Sequence, residues 1–231
     1  MPLPTVILPG YLASAQPYRE MEQALADVGF PAVTVPLRRR DWLPTIGGRS
    51  VINIIQALDA TAQRAMVDHS CNQINLVGHS AGGWISRIYL GHVPYDIHAS
   101  DRERTLPRPA NSHVQTLITL GTPHVSQERW TRKNLDFVNH HYPGAFYEDI
   151  DYVCIAGKSV EGKKSDWFTF NSYKLTGGEG YTWGDGVVPL AAAHLSGANN
   201  ITLDDVLHSP RSDALWYGSP TVVKDWSRWL R

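Results

Sequence analysis

Hydrophobic and polar positions follow two periods along this chain. Short apolar runs read as buried strands: Thr5–Leu8 (TVIL), Pro31–Leu37 (PAVTVPL), Gln73–Val77 (QINLV), Val114–Leu120 (VQTLITL), Tyr152–Ala156 (YVCIA) and Asn200–Leu203. The segments between them show helical spacing. Tyr18, Met21, Leu25 and Val28 share one face, with Pro17 at a first helical position and Gly29 just past the end. From Arg49 to about Asp68, Val51, Ile54, Ile55, Leu58, Ala62, Ala65 and Met66 form a second stripe. Ile85, Ile88 and Tyr89 mark a helix behind Gly78–Gly82, and Ser219-Pro220 opens a last one with Val222, Trp226, Trp229 and Leu230 inside. Strands alternating with helices imply βαβ units, a mostly parallel sheet flanked by helices, and right-handed connections. Ligand chemistry in such a sheet belongs at the carboxyl ends of the strands.

Three stretches break the pattern. His92 to His113 is polar and reads as a surface connection. Residues 125–151 and 157–183 are irregular, rich in aromatic side chains and long enough to form small caps over a site. The rest makes one α/β domain spanning residues 1–231. A chain of 231 residues can bury its core without disulfide staples.

Composition narrows the function classes. Lys and Arg number 21 against 22 Asp and Glu, a formal charge of -1, so a nucleic acid partner is excluded as a first reading. Arg38-Arg39-Arg40 reads as a solvated surface run. Cys71 and Cys154 lie far apart and read as reduced thiols, with Cys154 inside a strand. The start, MPLPTVILPG, has neither the basic region nor the apolar stretch of a signal peptide, so a cytoplasmic location is expected. No apolar run approaches the ~18 residues of a membrane span, which leaves only transient contact with a membrane surface. No H-E-x-x-H, C-x-x-C or Walker A pattern occurs, so no metal and no cofactor are expected.

The candidate chemistry starts at Gly78-His79-Ser80-Ala81-Gly82. It matches G-x-S-x-G between a strand and a helix, the setting of a nucleophile elbow. Ser80 would sit on a sharp turn whose flanking positions must lack a Cβ, and Gly78 and Gly82 supply that. A serine needs a base, and the base an acid. Asp185, in the tight Gly184-Asp185-Gly186 turn, is the first candidate acid; Asp151, Asp166, Asp204 and Asp205 compete. Among ten histidines, His208 follows the last strand and precedes the last helix, which favours it over His79, His124, His140, His141 and His194. The order Ser80, Asp185, His208 is that of an α/β-hydrolase relay. Backbone amides of Ala81, after the nucleophile, and of Tyr11, in the loop after the first strand, are candidate oxyanion donors, with Leu12 as the fallback. Leu12, His79, His124, Trp130, Trp183 and Val187 are candidate pocket residues.

With ILPGY near the start, LVGHSAGG, TLGTPH, GDGVVP and a late LH, the chain resembles the lipase and esterase branch of the α/β hydrolases. The nearest likeness is to lipase-like proteins related to lecithin–cholesterol acyltransferases and to the inositol deacylases of GPI anchors. The resemblance implies a single-domain α/β-hydrolase fold and serine hydrolysis of carboxylic esters, often lipid esters. It carries over Ser80 as nucleophile, Asp185 as acid, His208 as base, and Tyr11 and Ala81 as oxyanion donors. Pro9-Gly10 stands where many lipases have His-Gly, which fits the Pro-Gly subgroup. The expected partner is a small-molecule or lipid ester with an apolar acyl part. An acyltransferase or thioesterase would use the same residues, and a ligand-binding protein without activity could share the fold. Oligomeric state, acyl length and alcohol portion are not readable from the residues.

Overall fold

The apolar runs fold into strands that lie side by side. The computed structural model describes residues 2–98, 110–210 and 214–231. Its strands are β1 (Thr5–Leu8), β2 (Ala32–Thr34), β3 (Ile74–His79), β4 (Val114–Leu120), β5 (Asp151–Lys158), the two-residue strands β6 (Val160–Glu161) and β7 (Trp183–Gly184), and β8 (Asn199–Asp204). Six of them form one parallel sheet in the order β2-β1-β3-β4-β5-β8, while β6 and β7 pair antiparallel apart from it. The helices are α1 (Arg19–Asp27), α2 (Ile52–Asp68), α3 (Ala81–Leu90), α4 (Arg132–His141), α5 (Trp167–Gly177), α6 (Leu190–Ala193) and α7 (Pro220–Ser227).

The strands read as continuous apolar runs because both sheet faces are covered. Successive side chains alternate between the faces. Val6, Leu8, Leu76, Leu117 and Cys154 face Ile54, Ile55 and Leu58 of α2, Ile85 and Ile88 of α3, and Leu135 and Val138 of α4. Ile7, Val77, Ile118, Val153 and Ile155 face Met21 and Leu25 of α1 and Val222, Val223 and Trp226 of α7.

The sheet order decides where chemistry can sit. From β1 the chain steps outward to β2, then returns to β3 on the other side of β1 and continues away to β8. Loops leaving β1 and β3 therefore depart in opposite directions, with α1 and α3 on opposite faces. A crevice opens at such a switch point, outside the strands' carboxyl ends. The segments Pro9–Leu12 and His79–Ala81 border it.

Several boundaries differ from expectation for local reasons. The run at 31–37 yields a strand of only Ala32–Thr34. Pro36 has no N–H for a ladder, and the Leu37 N–H turns back onto the Val35 carbonyl at 2.6 Å. The second helix starts at Ile52, not Arg49. The last helix ends at Ser227, so Trp229 and Leu230 pack from the turn beyond it. The stretches 125–151 and 157–183 are not irregular throughout: they hold α4, and α5 between the antiparallel strands β6 and β7. Residues 99–109 of the connection between His92 and His113 lie outside the described residues. Cys71 and Cys154 are both free thiols, the latter buried in β5. Among the described residues no helix is long and apolar enough to cross a membrane.

Candidate active site

Ser80 joins β3 to α3 with φ 52° and ψ −124°, a backbone region that L-residues avoid. The cost, about 1–3 kcal/mol, must be met by the surroundings. They meet it by close packing. A Cβ on Gly78 would lie 2.5 Å from the Gly83 Cα, and one on Gly82 would run into the Leu8 carbonyl. The Ser80 N–H is held by the Leu120 carbonyl at 2.9 Å. The side chain is thereby presented at the crevice rather than folded into the sheet.

Three segments far apart in sequence converge on it. His208 Nε2 lies 3.0 Å from Ser80 Oγ, and His208 Nδ1 lies 2.8 Å from Asp185 Oδ2. A carboxylate only accepts, so Nδ1 carries the ring proton and Nε2 turns its lone pair toward the Ser80 hydroxyl. Asp185 is itself fixed. Its Oδ1 accepts from the N–H groups of Val187 at 3.0 Å and Val188 at 2.7 Å, and its Oδ2 accepts from the Tyr217 hydroxyl at 2.8 Å. The Tyr217 oxygen in turn accepts from the Gly157 N–H at 2.7 Å. Burial pushes the Asp185 carboxyl upward in pKa, but the His208 charge and hydrogen bond, with the Val188 and Val187 amides, outweigh it and hold the group below its usual value. Asp185 is therefore a carboxylate at neutral pH, able to stabilise a charged imidazole.

The candidate oxyanion donors lie on the two loops next to Ser80. Gly10 to Ala13 forms a turn closed by Ala13 N–H to the Gly10 carbonyl at 3.1 Å, with Leu12 at φ 57°. The turn occupies the Gly10 carbonyl and leaves the Tyr11 amide free. The Ala81 amide is the first of α3, where no intrahelical acceptor exists and the helix dipole is positive. A Cβ on Gly10 would lie 3.0 Å from the Ser80 Cβ, so only glycine lets the two loops approach this closely.

Behind them lies a buried relay with no sequence signature. The His79 Nε2 faces the His208 carbonyl at 2.8 Å, and its Nδ1 faces the Tyr18 hydroxyl at 2.7 Å. A carbonyl cannot donate, so Nε2 bears the proton and the Tyr18 hydroxyl donates to Nδ1. The Tyr18 oxygen accepts from the Gly10 N–H at 2.9 Å. This chain ties the Gly10 turn to the backbone that carries His208. Burial, and next the neighbouring His208, lower the His79 pKa to about 3.

A cavity of about 410 Å³ opens beside this group, lined among others by Gly10, Tyr11, Ser80, Val187 and His208. Not every expected lining residue is there. His124 is buried in the core, with Nδ1 3.4 Å from Arg87 and Nε2 3.5 Å from the Cys154 thiol. Trp130 is half exposed on the surface, and Trp183 stacks under the Lys158 ammonium. None of the three lines this cavity. Leu12 is exposed and contributes its turn rather than its side chain, while His79 reaches the cavity only as its floor. The wall comes instead from the β1–α1 connection (Ser14, Pro17, Tyr18), from Trp216, and from Arg39 in the supposed surface run. Three of the competing acids are engaged elsewhere: Asp151 pairs with Arg231 at 2.7 Å, Asp166 caps α5 through the Thr169 N–H at 3.2 Å, and Asp204 lies 4.0 Å from the Lys158 ammonium.

The two buried histidines predict acid sensitivity. Burial holds both His79 and His124 below 6.5, His124 well below. Above pH 6.5 both rings are neutral in the folded and unfolded chain, so stability there is independent of them. Below it the unfolded chain binds protons that the folded chain refuses, which favours unfolding by up to about 1.4 kcal/mol per pH unit for each ring. The melting temperature is expected to fall steadily from pH 6.5 toward pH 4, within the His79 window that closes near pH 3. A melting temperature unchanged over that range would contradict the neutral, buried rings.

A parallel sheet with a serine elbow after its third strand is the α/β-hydrolase fold, and the chain has that fold. A family model described as "Putative serine esterase (DUF676)" matches residues 41–143, under half of the chain. No curated protein sequence matches. Among solved structures, the lipase BlEst2 of Bacillus licheniformis is similar at 19% identity and a TM-score of 0.61, over 98% of this chain and 89% of that one. A gene product of Listeria innocua is similar at 14% identity and a TM-score of 0.56, over 100% and 94%. An alpha-beta serine hydrolase homologue of Coxiella burnetii follows at 14% identity and a TM-score of 0.51, over 97% and 85%. Likenesses at this level of identity establish the fold, and the family match lies on the serine esterase side of it.

Proposed function

We propose that the protein is a serine hydrolase that cleaves carboxylic esters with an apolar acyl part, through an acyl-enzyme on Ser80. The observation that carries this reading is the continuous hydrogen-bonded line from Ser80 Oγ through His208 to Asp185, beside a cavity. A serine idle in a strand-to-helix turn has no need of a base at 3.0 Å that is itself oriented by a buried carboxylate.

The steps follow from the positions. Ser80 Oγ attacks the ester carbonyl carbon, and its proton passes to His208 Nε2. Asp185 stabilises the imidazolium so formed without taking its proton. The carbonyl oxygen becomes an oxyanion and receives the amides of Tyr11 and Ala81. As the C–O bond to the alcohol breaks, His208 gives the proton to the leaving oxygen, and an acyl-enzyme remains. Water then yields a proton to His208 and attacks the acyl carbon. Collapse of that second oxyanion releases the acid and returns the proton to Ser80.

Initial rates on p-nitrophenyl esters of rising acyl length test the reading. Turnover is expected, with a preference along the series, because the cavity beside Ser80 has a finite volume of about 410 Å³ and is lined by Tyr11, Pro17, Val187 and Trp216. No turnover on any member would overturn it.

A further inference from the structure

Among the described residues, Arg39 is the permanent charge in the lining of the cavity beside Ser80. Three arginines stand in a row at 38–40, all exposed, yet only Arg39 lines that cavity. Its place is fixed by the segment it starts, a 3-10 helix over Arg39–Thr45. Trp42 in that segment is fully buried, donates from Nε1 to the Ala13 carbonyl at 2.9 Å, and meets the Tyr11 ring edge-on at 5.3 Å. Asn53 of α2 holds the Asp41 carbonyl at 2.7 Å. The guanidinium is thus carried by a segment anchored to the very turn that supplies the Tyr11 amide.

Among the described residues no carboxylate answers it: Arg39 makes no ion pair there, and no described Asp or Glu lines the cavity. Asp41, the acid of the same segment, has its Oδ2 on the Arg38 N–H at 2.8 Å. Among the described residues Arg39 is therefore the one permanent charge in a wall otherwise made of glycine, alanine, valine, proline, aromatic rings, two imidazoles and neutral hydroxyls. A guanidinium is always charged and presents paired donors that fit a carboxylate or a phosphate.

We propose that Arg39 forms an anion subsite in this cavity. The preferred ester is then amphiphilic, with an apolar body and a carboxylate or phosphate at the end seated there. The proposal rests on the hydrolase reading and names its substrate class.

The test compares p-nitrophenyl esters ending in a carboxylate with isosteres ending in a carboxamide. Alcohol-side analogues, acetates of carboxylated, phosphorylated and neutral alcohols, cover the other half of the ester. The readout is the ratio of kcat/KM for the anionic member over the neutral one. Wild-type protein is expected to favour an anionic member about tenfold, the preference shrinking as salt is raised. Arg39→Ala is expected to erase it, Arg39→Lys to keep part of it, and Arg39→Glu to invert it. A ratio that stays at the wild-type value in Arg39→Ala and Arg39→Glu overturns the subsite. Turnover of the carboxamide ester by wild-type protein reports separately on the hydrolase reading. Calorimetric binding of the matching non-hydrolysable amides reads the subsite without any turnover. Tighter binding of the carboxylated amide, lost in Arg39→Glu, supports the proposal, and equal affinities overturn it.

Discussion

Replacing Ser80 with alanine is expected to reduce ester turnover by about a millionfold, to the level that oxyanion amides and binding alone sustain. The size follows from how the parts cooperate. Without the hydroxyl there is no acyl-enzyme, and His208 and Asp185 have no proton to manage. Folding should be little affected, because the Ser80 backbone is held by its own N–H on the Leu120 carbonyl and by the glycine contacts around it. The variant therefore keeps its melting temperature while kcat on a p-nitrophenyl ester collapses. A tenfold loss or less would move the chemistry away from Ser80.

Asp185→Asn is the second large effect. An aspartate here accepts at both oxygens: from Val187 and Val188 N–H at one, and from Tyr217 and His208 at the other. An asparagine cannot satisfy this set. If its oxygen keeps the two amides, its NH₂ meets His208 Nδ1, and the ring must place its proton on Nε2, where it faces the Ser80 hydroxyl as a donor. The base is then in the wrong tautomer, and the charge that would stabilise the imidazolium is gone. Turnover is expected to fall about 10⁴-fold. The Tyr217 hydroxyl would lose its acceptor in a fully buried place, so stability should fall as well, by about 1–3 kcal/mol. Loss of kcat together with an unchanged KM and a lowered melting temperature is the expected signature.

The sequence carried the order of strands and helices because apolar period and turn residues agree along most of the chain. Val114–Leu120 is the strand the pattern predicted, bounded as expected. The pattern is weakest where burial is one-sided or absent. Helix α5 puts Trp167, Phe168 and Leu175 on the surface, so no apolar stripe marks it. Helix α4 buries only Asn134, Leu135 and Val138, too short a stripe to stand out.

The same contrast holds at the site. That Ser80, Asp185 and His208 meet was legible because a nucleophile elbow and a glycine-framed acid leave local marks in fixed order. Tyr217, Tyr18 and Arg39 were not. Each reaches the site through tertiary contacts alone, from a loop, a short 3-10 turn and a charged run that carry no motif. The aromatic side chains of 125–183 were expected to line the pocket because they cluster in sequence between a strand and the acid turn. The cavity beside Ser80 instead draws its wall from the segments that follow β1 and β2, from Val187, and from His208, Ser209, Pro210 and Trp216. The sheet order explains this, since the crevice opens between β1 and β3 and not between β4 and β5.

The central claim is that Ser80 is the nucleophile, activated by His208. Fluorophosphonate labelling tests it most directly, with the labelled residue mapped by mass spectrometry. The account predicts one phosphonyl group per chain, on Ser80, with no label on Ser80→Ala and sharply slower labelling of His208→Ala. Equal labelling of the wild type and Ser80→Ala would contradict it.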